Sequence, residues 1–149
     1  MSLLTLLVLL MSIHVLYGCH CEEVDWERVM CPGENKTVLL GNAITESRAT
    51  LPGASDVTLV HTVEVQKIFK EGPFNLTILP IHNIMMLTPH NCSHGQRNTT
   101  IMYMISGVTD SGGILHSSNC TIELLTGFFE KSGRKSLVNI YWGHESPKC

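Results

Sequence analysis

This sequence has no basic stripe, no glycine-rich phosphate loop and no internal repeat. Its charge is sparse and sums to a formal −3, so it offers no footprint for a phosphate backbone and nucleic acid is set aside as a partner. Neither a nucleophile motif nor a histidine with a catalytic partner at recognisable spacing is present, which argues against an enzyme and against a cofactor of its own. Low-complexity tracts are missing as well, and residues 19–149 read as one domain around one core. No apolar run after residue 17 approaches the ~20 residues that a membrane-spanning helix requires.

What is present begins with a leader. Residues 3–17 (LLTLLVLLMSIHVLY) carry no charge and match the length of a secretory h-region. Gly18, with Leu16 two residues before it, suits a signal-peptidase site, although Lys and Arg are missing from the start. The expectation is a signal peptide over 1–18 and a secreted, extracellular chain over 19–149. Cleavage there makes Cys19 the first residue, with its free α-amine and carbonyl oxygen side by side at the chain end. A terminus held rigidly in that form is a two-atom chelator.

All six cysteines, Cys19, Cys21, Cys31, Cys92, Cys120 and Cys149, follow the leader. An even count in an exported chain reads as three disulfides. Cys19 and Cys21 lie too close to bridge each other without strain, so each goes to a different distant partner. Which partners these are, the spacing leaves open. Five Asn-x-Ser/Thr sequons, at Asn35, Asn75, Asn91, Asn98 and Asn119, fit a secretory surface. Asn91 and Asn119 have a cysteine in the middle position, where disulfide formation competes with glycan transfer, so Asn35, Asn75 and Asn98 are the expected glycosylation sites.

Along residues 19–149, Val24–Met30 has the spacing of a short helical turn that Cys31-Pro32-Gly33 ends. Thr37–Thr45 reads as a strand bent at Gly41. Val57–Phe69 contains a period-2 alternation at Thr62–Gln66, a half-buried strand. Phe74–Leu79, Thr99–Ile105 and Gly112–Ser117 read as three further strands, with a long connection over residues 80–98. From Thr121, apolar residues at Ile122, Leu124, Leu125, Phe128 and Phe129, then Leu137, Val138, Tyr141 and Trp142, recur at helical spacing. Trp26, Phe128, Phe129 and Trp142 are read as core. The pattern suits a mainly β fold, a five-stranded Greek-key barrel of the OB type with short N-terminal and C-terminal helices, though a β-sandwich accommodates the same strands.

Four stretches carry a family resemblance: the Cys19-x-Cys21 start with Cys31 after nine intervening residues, the segment Val63–Pro73 (VEVQKIFKEGP), the strand Ile101–Gly107 (IMYMISG), and Asn119–Thr121 ahead of a helical tail. Together they resemble the inhibitory N-terminal domain of the tissue inhibitors of metalloproteinases, a netrin-like module, here of the single-domain kind found among invertebrates. The resemblance implies disulfides Cys19–Cys92, Cys21–Cys120 and Cys31–Cys149. It further implies a monomeric inhibitor whose partners are secreted or cell-surface zinc metalloproteinases of the extracellular matrix. Cys19 would ligate the partner's catalytic zinc by displacing its water. His20 would aim at the specificity pocket, and Cys21, Glu22, His90, Asn91 and Cys92 would lie along the cleft. The only metal involved is that shared zinc. A His90-x-x-x-His94 metal site including Cys92 is disfavoured, because a cysteine in a secreted framework is oxidised.

Two positions depart from the family's pattern. His20 stands where a small Thr or Ser is usual, and Glu23 where Pro is common. The other reading of the same module is a non-inhibitory netrin-like binding domain acting on a receptor or matrix protein, for which the chain start is irrelevant.

Overall fold

The computed structural model of the chain describes residues 24–90, 100–131, 135–144 and 146–149. The expected leader lies outside them, as do Cys19, His20, Cys21, Glu22, Asn91, Cys92, His94 and Asn98.

Asp25 starts the described chain by capping a four-residue helix, α1 (Trp26–Val29), its carboxylate accepting from the Arg28 amide at 3.2 Å. Five strands follow: β1 (Thr37–Thr50), β2 (Val57–Lys70), β3 (Asn83–Pro89), β4 (Tyr103–Thr109) and β5 (Leu115–Leu124). Two helices, α2 (Leu125–Lys131) and α3 (Lys135–Trp142), come after them. The strands close into a barrel in the order β1-β2-β3-β5-β4. All neighbours are antiparallel except β3 and β5, which run parallel through two residue pairs, Met86–Leu115 and Leu87–His116.

The first half of β1, from Thr37 to Gly41, is buried on both faces. Leu39 points into the barrel, where it meets Val63, Ile84, Met86, Ile105 and Leu115. Val38 and Leu40 point outward and are covered by Trp26, Met30 and Phe128. Trp26 meets Phe128 edge to face at 5.6 Å between ring centroids, and its indole N–H donates to Glu123 at 2.7 Å. Trp142, expected in the core, is instead 63% exposed at the end of α3. The bend expected at Gly41 is present: the β1–β2 register shifts there, and a Cβ would meet the Glu64 carbonyl oxygen at 2.7 Å.

The middle strands fall elsewhere than the pattern predicts. Phe74–Leu79 is no strand: it lies between Pro73 and Pro80, only Leu76 reaches the core, and the Thr77 amide donates to Gly113 rather than to a neighbouring strand. The third strand is Asn83–Pro89, inside the stretch expected as a connection. Its run of apolar residues hides an alternation in which Ile84, Met86 and Thr88 are all fully buried. β4 and β5 start later than expected, and Ile122 and Leu124 belong to β5 and not to a helix.

One disulfide joins Cys31 to Cys149 across 118 residues of chain, with Cα atoms 5.7 Å apart. In the chain-entropy view a loop of that size is worth about 4–5 kcal/mol of stability. Cys120 is also disulfide-bonded, to a partner outside the described residues. The segment carrying Cys31 is held a second time by Lys70, whose ammonium donates to the carbonyls of Val29 at 3.0 Å and of Cys31 and Glu34 at 2.5 Å each. Desolvation lowers the Lys70 pKa, while the Glu34 charge raises it. Lys70→Met keeps the stem and removes the three charge-assisted bonds. It is expected to lower stability by about 2 kcal/mol in denaturant unfolding at neutral pH, with the Cys31–Cys149 bond intact by mass.

Candidate functional site

The parallel seam between β3 and β5 is short, and where it stops the two strands part. Gly107 on β4 lets the neighbouring β5 come close at this level: a Cβ there would meet the His116 carbonyl oxygen at 2.4 Å. The β4–β5 register shifts between Ile105 and Gly107, bending the sheet at the same place. Past the seam a cleft of about 420 Å³ opens, with Leu87, Thr88 and Pro89 on one flank and His116, Ser117 and Ser118 on the other. The tip of the β1–β2 hairpin forms a further wall.

Two residues of the cleft lining, Thr88 and Ser117, belong to a set of buried polar side chains in the barrel. Thr37, His61, Thr88, Thr109 and Ser117 are all buried. His61 Nε2 lies 2.8 Å from the Thr88 hydroxyl, and its Nδ1 is 3.6 Å from the Glu46 carboxylate. The hydroxyls of Thr37 and Thr109 bond each other at 2.7 Å. Ser117 donates to the Ser106 carbonyl at 2.8 Å and lies 2.9 Å from the Thr121 hydroxyl. Such an arrangement directs its hydrogen bonds within the barrel. It holds no activated nucleophile.

The expected site residues meet this cleft only in part. His90 leaves β3 directly after Pro89, half-buried, with a buried Nδ1 that has no hydrogen-bond partner among the described residues. Cys120 lies on β5, next to Thr121, which lines the cleft. Cys19, His20, Cys21, Glu22, Asn91 and Cys92, around which the contact surface is expected, lie outside the described residues. Asn35 and Asn75 are both exposed. Among the described residues no three His, Cys, Asp or Glu side chains converge to hold a metal ion, and no helix is long and apolar enough to cross a membrane.

Sequence reasoning missed His61, Glu46 and Thr88. A usable signal existed for His61: continuing the Thr62–Gln66 alternation one step back places it on the inward face with Val63. Glu46 and Thr88 require strand register, since Glu46 pairs with His61 on β1 and Thr88 approaches it from β3. No protein-family model matches the chain, and no curated protein matches it. The functional reading therefore rests on the residues themselves.

One edge of the cleft depends on the β4–β5 turn. Asp110 Oδ1 accepts from the amides of Gly112 at 2.9 Å and Ile114 at 3.0 Å, and Oδ2 lies 2.8 Å from His116 Nε2. The His116 bond, then that of Ile114, holds the Asp110 carboxyl below the usual carboxylate range. A carboxyl with a lowered folded pKa stabilises above its unfolded value of about 3.9, and that stabilisation is lost as pH falls further through the folded value. Asp110→Ala should cost about 1 kcal/mol at pH 7, a modest loss because the pair is well exposed. Asp110→Asn should keep much of the turn at pH 7 and show a shallower loss of stability in the acid limb of a pH-denaturation series.

Proposed function

We propose that residues 19–149 form a secreted inhibitor of zinc metalloproteinases, with the α-amine and carbonyl oxygen of a mature N-terminal Cys19 closing a five-membered chelate ring on the partner's zinc. The observation that carries the reading is the Cys31–Cys149 disulfide, one of the three pairings implied by the family resemblance. The strand order β1-β2-β3-β5-β4, closed through a parallel β3–β5 pair, supports an OB-type Greek-key barrel. The oxidised state of Cys120 supports the second pairing, Cys21–Cys120. In this reading Cys19–Cys92 and Cys21–Cys120 tie the chain start to the two flanks of the cleft, since Cys92 follows His90 off β3 and Cys120 lies on β5.

A terminus fastened by two covalent bonds has little freedom left to lose on docking, so affinity comes from preorganisation. His20 then enters the specificity pocket of the protease. An imidazole must be desolvated there, where the family's usual residue is a small hydroxyl, so the inhibition profile narrows. Glu22 and the 90–92 segment line the remaining contact. Peptide mapping without reduction is expected to give Cys19–Cys92 and Cys21–Cys120 beside Cys31–Cys149; a free thiol at Cys19 would remove the clamp.

The mechanism makes a sharper demand on the amine. Only its neutral form has a lone pair for zinc, and an unperturbed α-amine has a pKa of about 7.7–8.0. Binding must therefore expel a proton from part of the free inhibitor near neutral pH, and inhibition should weaken as pH falls, after correction for the protease's own titration. N-acetylation of Cys19, or one extra residue ahead of it, should abolish inhibition of a matrix-type zinc protease while circular dichroism stays unchanged. Undiminished inhibition by the acetylated protein would eliminate chelation and favour a binding module that works through its barrel surface.

A further inference from the structure

The connection from β2 to β3 exposes more apolar surface than its frame can hide. Phe74, Ile78 and Leu79 are exposed, Ile81 is 80% exposed, and Met85 follows on the outer face of β3. Ile81 and His82 hold φ values of 66° and 54°, a left-handed conformation that a β-branched residue rarely adopts. The frame around them is fixed. Leu79 donates from its amide to the Asn83 carbonyl at 2.7 Å, and Thr77 donates from its amide to Gly113 and from its hydroxyl to Gly112, each at 3.0 Å. Leu76, next to Thr77, is buried in the barrel core. These side chains are held out in water and have no route inward. Large apolar side chains exposed this densely along one connection normally have something over them.

The same connection contains the sequon Asn75-Leu76-Thr77, with Asn75 exposed beside Phe74. We propose that an N-glycan on Asn75 is the cover for this apolar surface, attached before the connection closes onto the β4–β5 turn. The inference rests on the reading of the chain as exported. In the transfer, the Asn75 carboxamide nitrogen bonds to C1 of a lipid-diphosphate-linked oligosaccharide. The C1–O bond to the diphosphate breaks, the lipid diphosphate departs, and the amide gives up one proton to the transferase. The enzyme must reach the sequon hydroxyl. In the folded chain that hydroxyl is exposed but bonded to Gly112, and Leu76 between Asn75 and Thr77 is buried, so the sequon is pinned in one conformation and the transferase must act before it is fixed. Asn75 itself stays outside, so a glycan already attached is accommodated. The apolar CH face of the first sugar packs on the Phe74 ring, and its hydroxyls face water. Asn35 supplies the contrast: it is exposed between Glu34 and Lys36, where a glycan has no apolar surface to cover.

The test uses the full chain secreted from eukaryotic cells. Glycopeptide analysis is expected to find Asn75 occupied, whereas unglycosylated protein that has been refolded should not accept a glycan there from the transferase. Asn75→Gln should raise binding of an apolar-surface dye several-fold and promote self-association in sedimentation, while Asn35→Gln should change neither. Adding Phe74→Ser and Ile81→Ser to Asn75→Gln should return dye binding to the wild-type level. Enzymatic deglycosylation of the folded wild-type protein should reproduce the rise, which keeps the test valid if Asn75→Gln fails to fold. Asn75 bare with Asn35 occupied, efficient glycosylation of the folded chain at Asn75, or unchanged dye binding after deglycosylation would each overturn the proposal while leaving export intact. A chain that is retained in the cell, or secreted with every sequon bare, would overturn it together with the export reading on which it rests. Inhibition of a zinc protease is a separate measurement and is indifferent to all these outcomes.

Discussion

The barrel closes on very little. Four of its five strand contacts are antiparallel ladders, but the ring is completed by two parallel residue pairs between β3 and β5. Parallel pairing cannot be made by a tight hairpin and needs a crossover, so β4 must be laid down on the far side of β5 before the seam can form. The close approach at Gly107 is what lets β5 bend from β4 toward β3, because any side chain there would strike the His116 carbonyl. Lengthening the seam would fill the cleft; losing it would open the barrel. Everything proposed for the chain start depends on those strands parting just beyond Leu87 and His116.

With so short a seam, register has to be specified from inside. The buried polar side chains supply that specification. Thr37 finds Thr109, His61 finds Thr88, and Ser117 finds the Ser106 carbonyl only in one alignment of the strands. A slip of one residue turns every inward side chain outward, and it would leave these donors and acceptors buried without partners. An all-apolar interior would pack as well and discriminate less between registers.

That division explains how much of the fold was legible. β2 could be read at nearly its full length, with its alternation clean at Thr62–Gln66, and α1 because the helical spacing of Val24–Met30 ends at Cys31-Pro32-Gly33. Gly41 announced its own bend. Phe74–Leu79 misled because its composition is that of a strand, while its two flanking prolines and the hydrogen bonds of Thr77 to the β4–β5 turn make it a strap across the barrel. Asn83–Pro89 was missed for the opposite reason: apolar Met85 and Leu87 between the inward Ile84, Met86 and Thr88 mask the alternation in the sequence. The cleft was beyond reach, since it is defined by where two strands stop pairing, and no single residue marks that point. His61 was half legible, through its place on the inward face, but its partners come from strands that only register brings together.

The positions of the two proposed surfaces follow from β3. Its first residue, Asn83, adjoins the apolar connection, and its last, Pro89, adjoins His90 and the cleft. A strand of this length spans about 20 Å at ~3.3 Å per residue. A glycan on Asn75 therefore leaves from the end of β3 remote from the proposed inhibitory contact. One on Asn91, a residue past His90, would stand at the contact itself. The cysteine inside the Asn91 sequon bears on the same point, because a rapid Cys92 disulfide would keep that position bare. On the two proposals together, a sugar on Asn75 and a disulfide at Cys92 would leave an exported chain covered where it is apolar and open where it is proposed to dock.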